Sequence, residues 1–238
     1  MNEQQGYVHS IETGGMVDGP GIRYVIFFAG CALRCKYCHN PDTWKLLDGR
    51  IYTVKEIVAD IQKYKSYLKF SNGGVTITGG DPFVQINFLV ELLKACMEAG
   101  IHTALDTSGY ASHDNAARAL AYTDLLILDI KSFNPVTYKE LTGVKIDRTL
   151  EVLKLSQRLG TPTIVRFVLV PGLTDNLEDI QKMADFLKGF DNIKKVEVLP
   201  FHKMGEYKWK ALGLAYELAD VEPPDAGLLA KVKGILEI

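Results

Sequence analysis

Six apolar runs of strand length alternate with stretches of helical spacing through most of this 238-residue chain. The runs are Ile22–Ala29, Gly74–Thr78, His102–Ser108, Leu125–Lys131, Thr163–Val170 and Lys195–His202. Between them, Thr53-x-x-Glu56 is a capping box that predicts a helix from about Val54 to Tyr67. Phe88, Leu89, Leu92, Leu93, Cys96 and Met97 share one face of a second helix, and Asn115–Ala121 and Thr149–Leu159 read as further ones. Asp175-x-x-Glu178 opens another, to about Leu187, and a last covers about Ala226–Leu236. Such alternation demands parallel strands joined by helical crossovers. Six units fall short of the eight that close a barrel. The expected fold is therefore α/β, a partial (β/α)6 barrel with parallel strands and its site at the C-terminal strand ends. A doubly wound open sheet is the alternative that periodicity leaves open.

The length suits a single domain, with 1–21 as an N-terminal segment, 22–202 as the barrel core and 203–238 as a C-terminal segment. Hydrophobic residues make up 47% of the chain, enough for a full core. A net charge of -2 without a long run of one sign gives no electrostatic case for nucleic acid. No apolar stretch has the length of a bilayer span, and the polar start Met1-Asn-Glu-Gln-Gln-Gly6 lacks a signal-peptide pattern. Tyr7–Gly21, with Gly14-Gly15 and Asp18-Gly-Pro-Gly21, reads as a mobile surface segment before the first strand.

Directly after the first strand, Cys31, Cys35 and Cys38 stand at C-x3-C-x2-C spacing, three of the four cysteines in the chain. Clustered cysteines of this kind indicate a reduced, cytoplasmic protein rather than a disulfide scaffold. A loop this short can place three thiolates round one iron–sulfur cluster and leave one iron without a protein ligand. Two other readings stay open: a Cys3His zinc site completed by His39, and a redox pair of Cys35 and Cys38. Cys96 falls on the apolar stripe of a helix and reads as a buried structural cysteine.

Sites in parallel α/β folds assemble at C-terminal strand ends. Here those ends carry the cysteine loop, Gly79-Gly80-Asp81, Asp106-Thr107, Asp129 with Lys131, and His202, while Arg166 sits within the fifth strand. Each taken singly has an ordinary structural explanation. Their common place in the strand–helix rhythm is what points to one shared mouth.

C-x3-C-x-aromatic-C after the first strand and Gly-Gly-acid after the second resemble the radical S-adenosylmethionine (SAM) superfamily. Val17-Asp-Gly-Pro-Gly-Ile-Arg23, Cys38-His-Asn40, Asp42-Thr-Trp44, Gly100-Ile-His-Thr103 and Leu105-Asp-Thr107 carry the likeness further. So do Leu128-Asp-Ile-Lys131, Val170-Pro-Gly172, Leu199-Pro-Phe-His202 and Lys231–Glu237. Together they are similar to the family of activases that place a glycyl radical on pyruvate formate-lyase.

That resemblance implies a [4Fe-4S] cluster on Cys31, Cys35 and Cys38, with SAM chelating the fourth iron. It implies SAM contacts from Tyr37, Cys38, His39, Gly79, Gly80, Asp129, Ile130, Lys131, Arg166 and His202. It implies a monovalent cation at Asp106, Thr107, the Ile127 carbonyl and Asp129, whose oxygens suit a hard ion. No further catalytic residue is expected, because a 5′-deoxyadenosyl radical from cleaved SAM takes a hydrogen atom without a general base. The substrate is expected to be a glycine-bearing loop of pyruvate formate-lyase, received by Asp18, Gly19, Pro20, Gly21 and Arg23. Flavodoxin or ferredoxin is the expected electron donor. Many relatives have glutamate where this chain has Asp81. The alternatives are an activase of another glycyl radical enzyme, a small-molecule radical SAM enzyme, and a non-enzymatic zinc or electron-transfer module.

Overall fold

The computed structural model describes residues 4–237, so Met1–Glu3 of the polar start lie outside the described residues, as does Ile238. Its strands are β1 (Gln5–Gly15), β2 (Arg23–Phe28), β3 (Arg50–Thr53), β4 (Gly74–Gly79), β5 (Thr103–Thr107), β6 (Leu125–Asp129), β7 (Thr163–Leu169) and β8 (Ile193–Pro200). They form one sheet in the order β3-β1-β2-β4-β5-β6-β7-β8. From β2 to β8 every neighbouring pair is parallel. The two edges do not pair with each other, so the sheet curls without closing. The six expected strands and their parallel order are all present.

Two strands extend beyond the expected six, and one overturns an expectation. Gln5–Gly15 is not a mobile segment but an 11-residue strand antiparallel to β2, with Val8 opposite Phe28 and Ile11 opposite Ile26. Register shifts between Val8 and Ser10 and between Glu12 and Gly15 break its alternation, so no clean period of two marks it in the sequence. The short β3 pairs antiparallel with β1 and leads into the first helix.

The helices are α1 (Val54–Phe70), α2 (Ile86–Glu98), α3 (His113–Leu120), α4 (Pro135–Thr142), α5 (Asp147–Leu159), α6 (Leu177–Leu187), α7 (Glu206–Ala211) and α8 (Ala226–Ile235). The Thr53–Glu56 capping box starts α1 as expected. The second expected box does not form: Asn176, not Asp175, caps α6, and its side chain accepts from the amides of Glu178 and Asp179. On α2 the buried face holds Phe88, Leu89, Leu92, Leu93 and Cys96, while Met97 turns outward. Among the described residues no helix is long and apolar enough to cross a membrane.

Strand alternation sorts the core into two sides. Tyr24, Ile26, Phe28, Val75, Ile77, Leu105, Leu126, Leu128 and Val165 face outward and are buried in the main apolar cluster with the helices. The inward residues form a column. Its lower layer is apolar, with Ala104, Leu125, Ile127 and Ile164 packed together. One pleat further along the same strands come Asp106, Asp129 and Arg166. The barrel therefore has an apolar floor beneath a charged mouth.

Candidate active site

The cysteine loop starts where Gly30 turns out of β2, and its path is set by backbone bonds to two neighbours. Gly30 and Cys31 donate to the carbonyls of Thr43 and Trp44, at 2.7 and 3.1 Å. Arg34 and Lys36 donate to the carbonyls of Thr142 and Leu141 at the end of α4, at 2.8 and 3.1 Å. The Cys38 amide closes the loop on the Cys35 carbonyl at 3.0 Å. All three thiols line one cavity of about 560 Å³ at the barrel mouth. Burial pushes the Cys35 thiol up to about 12 and raises Cys31 and Cys38 as well.

This donor set fits an iron–sulfur cluster. Buried thiols stay protonated until a metal holds them as thiolates, and binding then releases the protons. A four-iron cluster takes one thiolate at each of three separate corners. Among the described residues no three His, Cys, Asp or Glu side chains gather round a single ion position. The zinc alternative also fails on His39, whose Nε2 lies 3.1 Å from the His202 carbonyl and whose ring stacks on His202 with centroids 4.2 Å apart. Burial lowers the His39 pKa, against the pull of the His202 carbonyl. His39 and His202 line the cavity together, with Tyr37. Tyr37 is buried, and its hydroxyl has no hydrogen-bond partner among the described residues.

The β4 end supplies the opposite wall. Gly79 has a φ of +113°, which only glycine adopts without strain. A Cβ on Gly80 would lie 2.3 Å from the Gly30 carbonyl oxygen, so the two strand ends can meet only without one. The following acid does not join the cavity. Asp81 is buried beneath it, where its carboxylate accepts from the hydroxyl of Thr107 (3.0 Å), the hydroxyl and amide of Ser108 and the amide of Phe83 (3.0 Å). Burial raises its pKa and these donors oppose the rise. Asp81 thus ties the β4 end to the β5 end.

The third wall is charged. Lys131 Nζ donates to Asp129 Oδ2 at 2.6 Å. Burial would lower the Lys131 pKa, but Asp129, Tyr37 and Cys35 hold it well above the usual range. Arg166 donates to Glu197 at 2.8 Å, to Asp106 at 3.0 Å and to the Val17 carbonyl at 2.6 Å. Burial pushes Asp106 up to about 6, against the pull of Arg166. Ile130 is not at the wall: it is fully buried, and its amide donates to the Arg166 carbonyl at 3.0 Å. The Ile127 side chain belongs to the apolar floor.

Of the residues expected to receive a substrate loop, Asp18 lines the cavity, while Gly19 and Pro20 line a separate, lower one of about 1110 Å³. Arg23 does neither, which corrects its expected role. It is fully buried, with its guanidinium donating to Thr76 Oγ1 at 2.9 Å, to the Pro20 and Val75 carbonyls, and sharing a hydrogen bond with His102. Thr76 in turn donates to the Asp18 carbonyl at 2.7 Å. Burial lowers Arg23 to about 10. Arg23 supports the Asp18–Pro20 loop from beneath and cannot touch a partner directly.

Several lining residues escaped the sequence reading: Asn40, Trp44, Thr78, Ser108 and Val168. Two had a legible signal. Val168 is two residues beyond Arg166 on β7, and Thr78 two beyond Thr76 on β4, so strand alternation alone places them on the inner face.

Comparison with known proteins bears on this site. The profile of the Radical SAM superfamily matches residues 25–187. The pyruvate formate-lyase-activating enzyme of Clostridium pasteurianum is 44% identical over 232 residues, 98% of this chain and 97% of that one. That of Staphylococcus aureus (strain USA300) is 45% identical over 228 residues, covering 93% and 91%. Among solved structures, a radical SAM methyltransferase from Sphaerobacter thermophilus superposes with a TM-score of 0.66 at 17% identity, over 92% of this chain and 67% of that one. A domain of a pyruvate-formate lyase-activating enzyme from Bacteroides vulgatus ATCC 8482 gives 0.58 at 24% identity, over 69% and 92%. These two structural likenesses speak to the partial-barrel fold, and the curated relatives to the family. The chain belongs to the radical SAM superfamily, within the family of pyruvate formate-lyase-activating enzymes.

Proposed function

We propose that this chain activates pyruvate formate-lyase by generating a glycyl radical on it. The observation that carries this reading is the meeting of three thiols, buried Cys35 and half-buried Cys31 and Cys38, with the Gly79-Gly80 strand end, the Asp129–Lys131 pair and the His39–His202 stack round one cavity. When bound, the cluster supplies one electron and SAM the carbon radical that removes a hydrogen atom from a glycine Cα. The work left to the protein is positioning and the exclusion of water.

The three cysteines hold the cluster. Lys131 is the cation suited to the SAM carboxylate, and Asp129, its partner at 2.6 Å, keeps it charged and aimed. Glycine at 79 and 80 lets the β4 end lie against Phe28 and Gly30, where a Cβ would clash, and so brings its backbone to the cavity for the SAM amino group. Tyr37, His39 and His202 offer flat faces for the adenine and ribose. Arg166 serves that wall by holding Asp106, Glu197 and the Val17 carbonyl rather than by a free guanidinium. Ile130 supports it from behind.

A monovalent cation belongs to the same proposal. Asp106 and Asp129 offer carboxylates, and Thr107 and Ile127 their carbonyls, since the Thr107 hydroxyl already donates to Asp81 and accepts from the Gly109 amide at 3.0 Å. The glycine loop of the partner enters past Asp18, which lines the cavity, while Gly19, Pro20 and Gly21 shape the loop that carries it. Flavodoxin or ferredoxin is the proposed electron donor, and the cytoplasm the proposed location.

The test is anaerobic reconstitution, then addition of dithionite, SAM and a glycine-loop peptide of pyruvate formate-lyase, with iron content and 5′-deoxyadenosine measured. Four irons per chain with peptide-dependent deoxyadenosine support the reading. Cleavage that ignores the peptide moves the substrate elsewhere. Zinc in place of iron, without cleavage, overturns it.

A further inference from the structure

The matching superfamily profile stops at residue 187, yet the chain comes back to the cysteine loop after it. The returning element is α7, which lies against residues 38–44 and attaches at three points. Lys208 Nζ donates to Asn40 Oδ1 at 2.9 Å and pairs with Asp42 at 2.9 Å. Trp209 Nε1 donates to the Cys38 carbonyl at 2.8 Å. Gly205, just before the helix, approaches so closely that a Cβ there would lie 2.7 Å from His39 Cα.

Packing keeps Trp209 in this position. It is buried, edge-on to Trp44 at 5.1 Å between centroids, and tilted against Tyr216 at 5.4 Å. Trp209 is the one donor that reaches the Cys38 carbonyl among the described residues. Asp42 is shared, since His9 of β1 meets it from the other side at 3.2 Å. The loop's own ties are local: Cys38 to Cys35 at one end, and Thr43 to Asn40 at the other. Between them, α7 supplies the contacts on the Cys38 carbonyl and the Asn40 side chain, beside His9 on Asp42 and the His202 carbonyl on His39.

We propose that Trp209, with Lys208 beside it, is a positioning residue for the third cysteine. On this reading α7 is a bracket that fixes Cys38–Asp42 and so presents the Cys38 thiolate at one corner of the cluster. Neither side chain touches the cluster; both act through the loop backbone and its Asn40 and Asp42 side chains. The inference rests on the proposed cluster at Cys31, Cys35 and Cys38. Without the indole N–H, a half-buried carbonyl loses its protein partner and the loop leaves its position more easily.

The test compares the wild type with Trp209→Phe, Lys208→Met and Tyr207→Phe, each reconstituted anaerobically. Tyr207 is exposed on the same helix and serves as the control. The readouts are iron per chain, the rate at which cluster absorbance is lost to a chelator, the electron paramagnetic resonance spectrum of the reduced cluster, and melting of the metal-free protein. Trp209→Phe keeps the ring and removes only the hydrogen bond. The expected result is near wild-type iron loading with cluster loss about five- to tenfold faster, the scale of one lost hydrogen bond. Lys208→Met shifts the rate in the same direction and Tyr207→Phe does not. A purely structural role would lower metal-free melting and leave cluster loss and the spectrum unchanged. Wild-type rates in both Trp209→Phe and Lys208→Met overturn the bracket and leave the cluster reading intact. If Trp209→Phe does not fold, Lys208→Met decides. A wild type that takes up no iron overturns the cluster reading and the bracket with it.

Discussion

The Arg166 guanidinium donates to the Val17 carbonyl at 2.6 Å and so joins two positions 149 residues apart. The same group bonds Asp106 and Glu197, and all three charged side chains are largely shielded. The β1–β2 loop is therefore held inside the barrel by a side chain of β7, with Thr76 holding its next carbonyl.

Arg166→Met is expected to destabilise the metal-free protein by about 1–3 kcal/mol, because it leaves the largely shielded Asp106 carboxylate without its cation partner, while Glu197 keeps Lys195 at 2.6 Å. Arg166→Lys should recover part of this, since one ammonium cannot span three acceptors in the planar geometry of a guanidinium. Urea unfolding measures both. A Met variant with the wild-type midpoint would show that the network contributes nothing net.

The raised Asp106 pKa makes stability pH-dependent in a stated direction. The folded protein holds this proton up to about pH 6, whereas an ordinary aspartate releases it near 3.8. Over that interval the unfolded chain binds fewer protons than the folded one, so stability falls as pH rises and is level above it. The total is at most about 3 kcal/mol, for a difference of roughly two pKa units. Asp106→Asn should abolish this component. Unfolding free energies at about pH 4 and about pH 7, taken as wild type minus variant, cancel the other carboxylates; a difference that does not move with pH would refute the assignment.

Gly80→Ala should damage the site through the backbone. The added Cβ would meet the Gly30 carbonyl at 2.3 Å and the Thr43 carbonyl at 3.0 Å, and neither is a flexible side-chain end. The strand ends must then separate, at a cost of about 1–3 kcal/mol. Because Gly30 opens the cysteine loop, SAM binding to reconstituted enzyme should weaken more than melting suggests. Equilibrium dialysis beside a melting curve separates the two effects.

The four cysteines should divide three to one. Alanine at Cys31, Cys35 or Cys38 is expected to reduce bound iron severely, while leaving the metal-free fold in place. Cys96 is fully buried on α2. Its replacement by alanine should cost about 1 kcal/mol for the lost packing and leave iron content unchanged. Iron assays on the four variants test the division directly.

Much of the architecture was legible in the chain. Local apolar periodicity encodes each parallel strand and most helices, and a parallel order follows once strands and helices alternate. The cysteine spacing and the Gly79-Gly80 pair were legible because their chemistry depends on adjacent residues. β1 was not, because a bulge between Val8 and Ser10 breaks the alternation that marks a strand, and its place is fixed by backbone pairing with β2 on one side and β3 on the other. Arg23 was misread for a related reason. A charged residue beside a glycine-rich loop suggests a surface, and only the sheet brings Thr76, Val75 and His102 together to bury it.

Asp81 draws the same line within a single motif. That an acid follows two glycines at a strand end can be read from the chain alone. Only packing sets where it points: inward, to the hydroxyls of Thr107 and Ser108 at the end of the next strand. The return of Trp209 to Cys38 is likewise a tertiary decision, spanning 171 residues. Short-range spacing can place donors on one loop, because chain geometry limits where adjacent residues go. Which distant group satisfies a buried carbonyl or carboxylate depends on how whole elements pack, and no local pattern carries that information.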